Sequence, residues 1–232
     1  MAKKESHFLV QQKMAVGAFS LVVICVIGYL TWLTFEDAPL GEFVEGEHYD
    51  LVDNPRRIRD DRVEVMEFFS YACVHCYNFD PDLTDWVEDQ GDKVNFVRMP
   101  AVASDYWRAL GRTYYTLERL DGLEGNHMAF FRAIHETRRN FPSADSLADF
   151  FASSTISPDE FKKTFNSAEV ASDISKADQM ARRLKVASVP TIIVQGKYIV
   201  RTTRAIGPKR MLEVMNYLVE KELAEQSKTV AE

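Results

Sequence analysis

The sequence predicts an α/β domain made of two separated segments, with an all-helical insertion between them and one membrane-spanning helix ahead of the whole. Three observations carry this. Residues 63–99 read as strand, helix, strand; residues 103–180 show helical periodicity with no strand pattern; and strands return as a hairpin from Val189 to Val200 before a last helix. A strand–helix–strand order implies a parallel pair joined by a right-handed crossover. With 232 residues, of which 46% are hydrophobic, the chain can build a real core.

The 22 residues from Met14 to Phe35 carry no charge, a run long enough to span a bilayer as a helix. Lys3, Lys4 and Lys13 precede it, while Glu36 and Asp37 follow. The positive-inside rule therefore places the amino terminus in the cytoplasm and the bulk of the chain across the membrane. Tyr29 and Trp32 fall in the far interfacial belt. The alternative is a cleavable signal peptide. The run exceeds a typical signal h-region, however, and no Ala-x-Ala site follows, which favours an uncleaved anchor over residues 1–36. Residues 37–47, with Pro39, Gly41, Gly46 and several acids, read as a tether.

Beyond the tether, His48–Val52 is expected as a first strand and Arg56–Asp61 as a charged turn. The Val- and Phe-rich stretch from Val63 to Phe69 is the central strand, and a helix follows from Cys73. Asp80-Pro81 interrupts that helix, with Asp80 as cap and Pro81 as the first residue of a kinked continuation through Leu83, Trp86 and Val87 to Gly91. Lys93–Met99 alternates as a strand. Helices are then expected from a Ser104 cap to Gly122, over 124–139, over 143–152, and from Ser157, where Ser157-Pro158-Asp159-Glu160 is a capping box. A long helix from Ser167 puts Val170, Ile174, Ala177, Ala181 and Leu184 on one face. Val189–Val194 and Lys197–Val200 form a hairpin about Gln195-Gly196. A helix over 208–222 then turns Met211, Val214, Met215 and Leu218 to the sheet, leaving residues 225–232 as a polar, frayed tail.

Cys73 and Cys76 fall within one helical turn and can pair with each other. Cys73 sits where unpaired backbone N–H groups and the helix dipole favour a thiolate, and protonated His75 adds positive charge. Each unit by which a thiol falls below its ordinary value stabilises the thiolate by about 1.36 kcal/mol, and about 1.4 kcal/mol makes a two-electron couple about 30 mV more oxidising. Cys76, one turn in, is the expected buried resolving thiol. On a period of two Glu67 shares a face with Val63, Val65 and Phe69, where burial raises a carboxyl's pKa and where it can exchange protons with Cys76. The third cysteine, Cys25, lies inside the apolar span with no lipobox before it and is expected to be inert. The pair thus has no competing structural disulfide.

Other classes fit poorly. A net charge of −7, with no basic patch beyond pairs such as Arg182-Arg183, argues against a nucleic-acid partner. A zinc site needs two more ligands, and His127 and His135 form no recognisable ligand pair; both read as ordinary helix residues, and no metal site is expected. Haem attachment is excluded by Tyr77, where that motif requires His.

The run Glu67-Phe68-Phe69-Ser70-Tyr71-Ala72-Cys73-Val74-His75-Cys76-Tyr77 resembles the active-site stretch of the DsbA family of thiol:disulfide oxidoreductases, and Ser188-Val189-Pro190-Thr191 resembles the cis-proline loop of thioredoxin-fold proteins. The resemblance implies a thioredoxin fold over 48–102 and 181–224 with the helical domain inserted over 103–180. It implies Cys73, Cys76, His75 and Glu67 as the catalytic set, and a substrate surface of Val74, Val189, Pro190 and Tyr71, with no cofactor; Tyr71 fits the core equally well. The family usually has Pro where this chain has Val74, which leaves the redox potential open. The activity implied is donation of the Cys73–Cys76 disulfide to thiol-bearing exported proteins through a mixed disulfide at Cys73. A membrane redox partner reoxidises the pair, in a monomer anchored by a single pass in the inner membrane with its catalytic domain in the periplasm. A reductase or isomerase of the same fold is the alternative, and a non-redox peptide- or metal-binding module a more distant one.

Overall fold

The computed structural model describes residues 14, 16–17, 20–26, 43–58, 60–152, 156–203 and 206–231, which belong to two units, Met1–Glu42 and Phe43–Glu232. In the first, residues 20–26 are helical with exposed side chains. Among the described residues no helix is long and apolar enough to cross a membrane. Most of the expected anchor, and the tether up to residue 42, lie outside the described residues.

The second unit is built on a five-stranded mixed sheet of β1 (Asp50–Leu51), β2 (Val63–Phe69), β3 (Val94–Pro100), β4 (Thr191–Val194) and β5 (Tyr198–Arg201), in the order β1-β5-β4-β2-β3. As the crossover argument requires, β2 and β3 are parallel, joined by helix α1 (Val74–Gln90). β4 runs antiparallel to both β2 and β5. The β4–β5 turn places Gln195 at φ 51° and Gly196 at φ 61°, the two positive values that a tight hairpin with right-twisted strands requires.

Every residue of β2 is buried, because β3 and β4 flank it and both faces are covered. Val63 and Val65 pack with Phe79, Leu83 and Trp86 of α1 and with Met211, Val214 and Leu218 of the last helix, α7 (Pro208–Ala231). Met66 and Phe68, on the other face, meet Leu184. Each such side chain contributes about 1.5–3 kcal/mol by burial.

The insertion comprises α2 (Asp105–Arg119), α3 (Asn126–His135), α4 (Ala144–Phe151), α5 (Pro158–Phe165) and α6 (Ala168–Arg183). Ser104, Ser143, Ser157 and Ser167 cap four of these, each side chain accepting from the backbone N–H three residues on. α3 starts at Asn126 rather than 124 because Gly125 takes a left-handed conformation, φ 72°. Gly111 lets α2 lie close on Pro100 and Ile174: a Cβ there would stand 2.9 Å from each. The insertion's core is aromatic, with Phe130, Phe131, Phe141, Phe151 and Phe161, and it takes in Phe69 and Tyr71 from the end of β2. α6 straddles the expected boundary at residue 180. Val170, Ile174 and Ala177 belong to the insertion's core, whereas Met180, Ala181 and Leu184 cover the sheet.

Three local expectations are corrected. The α1 helix runs through Pro81 unbroken, and Asp80 does not cap a restart but turns its buried carboxylate to Arg98 and His127; packing of Phe79, Leu83 and Trp86 offsets the one hydrogen bond that proline removes. Phe43, placed in the tether, is buried, 5.4 Å from the Tyr217 ring and beneath the Arg210 guanidinium. The last helix continues past residue 222 to Ala231, supported by ion pairs from Lys197 to Glu222 and Glu225.

Candidate active site

The strand β2 ends at Phe69, and Ser70, Tyr71 and Ala72 carry the chain to Cys73, the N-cap of α1, in extended conformation (φ −93°, ψ 114°). Its sulfur accepts from the Cys76 backbone N–H at 3.4 Å and lies 3.4 Å from the carbonyl oxygen of Val189, to which the thiol form donates. The Val189–Pro190 peptide is cis. Cys73 is partly exposed; Cys76 is fully buried.

The two thiols are driven apart in acidity. The Cys76 thiol, the Cys76 and His75 backbone N–H groups and the His75 charge stabilise a Cys73 thiolate against the cost of burial and hold it down to about 6. Burial, and then the neighbouring Cys73, push the Cys76 thiol far up. A nucleophile that is ionised near neutrality beside a protonated resolving thiol is what stepwise disulfide exchange needs.

Beneath the pair lies a buried polar network. Glu67 and Arg98 are direct partners in the β2–β3 register, and Arg98 Nε donates to Glu67 Oε2 at 2.9 Å. The same guanidinium reaches Asp80 Oδ1 at 2.7 Å and Thr84 Oγ1 at 3.3 Å through Nη2. Asp80 also takes a hydrogen bond from His127 Nε2 at 3.0 Å, and the Tyr71 hydroxyl lies 2.7 Å from His127 Nδ1. Burial raises Glu67 to about 7, Arg98 opposing and Asp80 adding to the rise. For Asp80, burial is outweighed by His127 and Arg98, which hold its carboxyl below the usual range. Burial also lowers His127 below an ordinary imidazole.

The residues expected at the site fall into three groups. Cys73, Cys76, Glu67, Val189 and Pro190 converge, and His75 and Val74 are exposed on the first turn of α1, Val74 at 48%. Tyr71, for which substrate surface and core were both open, is core. At 1% exposure its ring packs on Phe69, Phe130 and Phe131, and its hydroxyl is satisfied by His127. His127 and His135 are not ordinary helix residues. His127 joins the insertion to the site, and His135 donates to the Tyr71 carbonyl at 2.8 Å while stacking on Tyr77. Arg98, Asp80 and His127 were not legible as site residues. The one available signal was a cation alternating into a strand next to the Glu67 strand. Beside Val189 a groove of about 390 Å³ is walled by Val102, Trp107, Val186 and Arg182.

Comparison with known proteins agrees with this geometry. Residues 99–218 match a family model described as the DSBA-like thioredoxin domain. The chain is 33% identical over 192 residues to a thiol:disulfide interchange protein DsbA of Pseudomonas aeruginosa, covering 82% of this chain and 91% of that one. It is 38% identical over 163 residues to the DsbA of Pseudomonas syringae, covering 70% and 76%. The crystal structure of Pseudomonas aeruginosa DsbA superimposes with a TM-score of 0.76 at 33% identity, over 80% of this chain and 97% of that one.

Proposed function

The chain belongs to the DsbA family of thiol:disulfide oxidoreductases, and from that premise we propose that Cys73 is the exchanging sulfur and Cys76 the resolving one in a disulfide donor for exported proteins. The observation that carries this is the split acidity of the pair: Cys73 held down to about 6 at a helix N-cap, Cys76 buried and pushed up.

A substrate thiolate attacks Cys73 Sγ of the oxidised pair. The Cys73–Cys76 bond breaks, and Cys76 leaves with the electron pair and takes up a proton, which Glu67 supplies from its buried position nearby. A second substrate thiolate then attacks the substrate sulfur of the mixed disulfide. Cys73 leaves as its stabilised thiolate, so two electrons have passed from the substrate dithiol to the pair. A membrane redox partner takes these electrons and restores the disulfide. Val189 presents backbone beside Cys73 for an extended substrate segment, with Val74 and Pro190 forming the apolar floor, and His75 stabilises the thiolate.

We assign residues 14–35 as a single-pass inner-membrane anchor, with the domain in the periplasm. Their lack of charge, the lysines before them and the helical, apolar stretch Leu21–Val26 support the assignment. Extraction of membranes at alkaline pH tests it: release of the full chain into the supernatant refutes the anchor. The redox reading is tested by equilibrating the Cys73/Cys76 pair with glutathione at neutral pH. A potential well above the cytosolic poise of about −220 to −260 mV is expected of a donor, and a value at or below that range transfers the assignment to a reductase.

A further inference from the structure

Between α1, β2 and β3 one buried cation faces two buried carboxylates: Arg98 Nε is 2.9 Å from Glu67 and Nη2 is 2.7 Å from Asp80. Exposure of the two carboxylate residues is 1% and 2%. Two desolvated carboxylates sharing one guanidinium do not both stay ionised cheaply, so the cluster holds a proton near neutrality, and that proton has two places to sit.

The hydrogen-bond pattern distinguishes them. Asp80 Oδ1 already accepts from Arg98 Nη2 at 2.7 Å and meets His127 Nε2 at 3.0 Å, and an oxygen facing two nitrogens is best served as a carboxylate that accepts from both, with the ring hydrogen on Nε2. The Tyr71 hydroxyl then donates to the Nδ1 lone pair at 2.7 Å, which fixes a neutral tautomer. The rings of Phe69, Phe131 and Tyr114 surround the imidazole at centroid distances of 5.6, 5.2 and 6.2 Å. Asp80 therefore has two donors, Arg98 and His127, while Glu67 is held by Arg98.

We propose that His127 is a positioning residue for the redox pair: by fixing Asp80 as the carboxylate it places the cluster's proton on Glu67, beside the cysteines, where Cys76 can draw on it. The groups facing this proton are Asp80 and the Cys76 thiol from α1, the Cys73 thiol at its N-cap, Arg98 from β3, Tyr114 from α2, and Tyr71 from the loop after β2. Both phenols stay neutral because burial pushes them up. The directions at Glu67, raised, and Asp80, lowered, agree. The usefulness of this arrangement rests on Cys73–Cys76 being the redox pair, but a carboxyl titration reads the proton's position whether or not the pair turns over.

The test is a pH titration of isotope-labelled Glu and Asp carboxyl carbons by NMR in the full chain. In the unaltered protein the Glu67 signal moves near neutrality while Asp80 keeps its carboxylate position. His127→Leu removes the second donor, and Asp80 becomes the group that titrates while Glu67 stays ionised. His127→Gln, with an amide N–H in place of Nε2–H, restores the original pattern. A folded His127→Leu protein in which Asp80 remains carboxylate and Glu67 titrates unchanged overturns the proposal. If His127→Leu does not fold, Asp80→Asn decides: Arg98 then serves Glu67 alone and its midpoint falls by about one to three pH units. An unchanged midpoint means that the carboxylates do not compete, and the proposal fails.

Discussion

Replacing Cys76 by Ala isolates what makes Cys73 acidic. In the reduced protein the Cys73 thiolate is held at about 6, against 9.0 for the unperturbed group, and the largest single contribution is the hydrogen bond from the Cys76 thiol. At 1.36 kcal/mol per unit the whole lowering is at most about 4 kcal/mol, and less once solvent screening at the partly exposed sulfur is allowed for. A hydrogen bond to a charged acceptor is worth about 1.5–3 kcal/mol, so its loss should return about one to two pH units. The backbone N–H groups of Cys76 and His75 and the His75 charge remain, and the thiolate should still form below the unperturbed value. The assay is the rate of alkylation of Cys73 against pH, with ultraviolet thiolate absorbance as a second reading. At about pH 6 the thiolate fraction falls from about one half to between about a tenth and a hundredth, so the rate drops about 5- to 50-fold. Cys76→Ser, which keeps a donor, should recover part of it. An alanine variant that titrates as the unaltered protein does would show that the helix terminus alone sets the acidity and that the partner thiol does not contribute.

The other expectations concern the framework beneath the pair. Glu67 titrates at about 7 when folded against 4.5 unfolded, so it costs nothing below about pH 4.5 and destabilises increasingly up to about 7; Glu67→Gln should remove that slope and gain about 3 kcal/mol at pH 8 in denaturant unfolding of the reduced protein. Arg98→Met leaves Glu67 and Asp80 buried without their cation, and its unfolding free energy should drop by about 3–5 kcal/mol at neutral pH, with a smaller loss in acid, where both carboxyls are protonated. Val74 is the first helical residue after an extended Cys73, a position that accepts Pro without loss of an intrahelical bond. Val74→Pro should stabilise the fold by about 0.4–1 kcal/mol, and the thiolate titration of Cys73 should move little, since no contact of Val74 sets it.

What could be read from the sequence was whatever is local in the chain. Serine caps at 104, 143, 157 and 167, the period-two strand from Val63, the Gln195-Gly196 turn and the Cys73/Cys76 spacing each declare themselves within a few residues. Glu67 was visible because a carboxylate on an apolar face is an anomaly in its own strand. Its partner was not, because Arg98 lies 31 positions away and only the β2–β3 register puts the two side by side. Tyr71 stayed undecided between surface and core for a related reason. An aromatic residue two positions before the first cysteine looks the same whether it faces solvent or core, and the decision belongs to Phe130, Phe131 and His127 of a helix more than 50 positions later.

These distant contacts also limit what cysteine acidity alone explains. A thiol lowered from 9.0 to about 6 favours the reduced state by its full amount only where the unperturbed thiol would itself be ionised. At pH 7 the realised share is at most about 1.4 kcal/mol, or about 30 mV, before solvent screening reduces it. Any greater oxidising power must come from groups that feel whether the sulfurs are bonded. Glu67, the nearest such group, acts in the opposite sense while ionised, because its charge repels a thiolate on either sulfur, and its protonation around neutrality removes that cost. A negative charge appearing on Cys73 at reduction favours the protonated Glu67, so reduction draws a proton into the cluster and the couple's pH dependence steepens where Glu67 titrates. Arg98 from β3, Asp80 from α1 and His127 from the insertion set that proton's affinity. One buried hydrogen-bonded chain thus joins the insertion to Glu67.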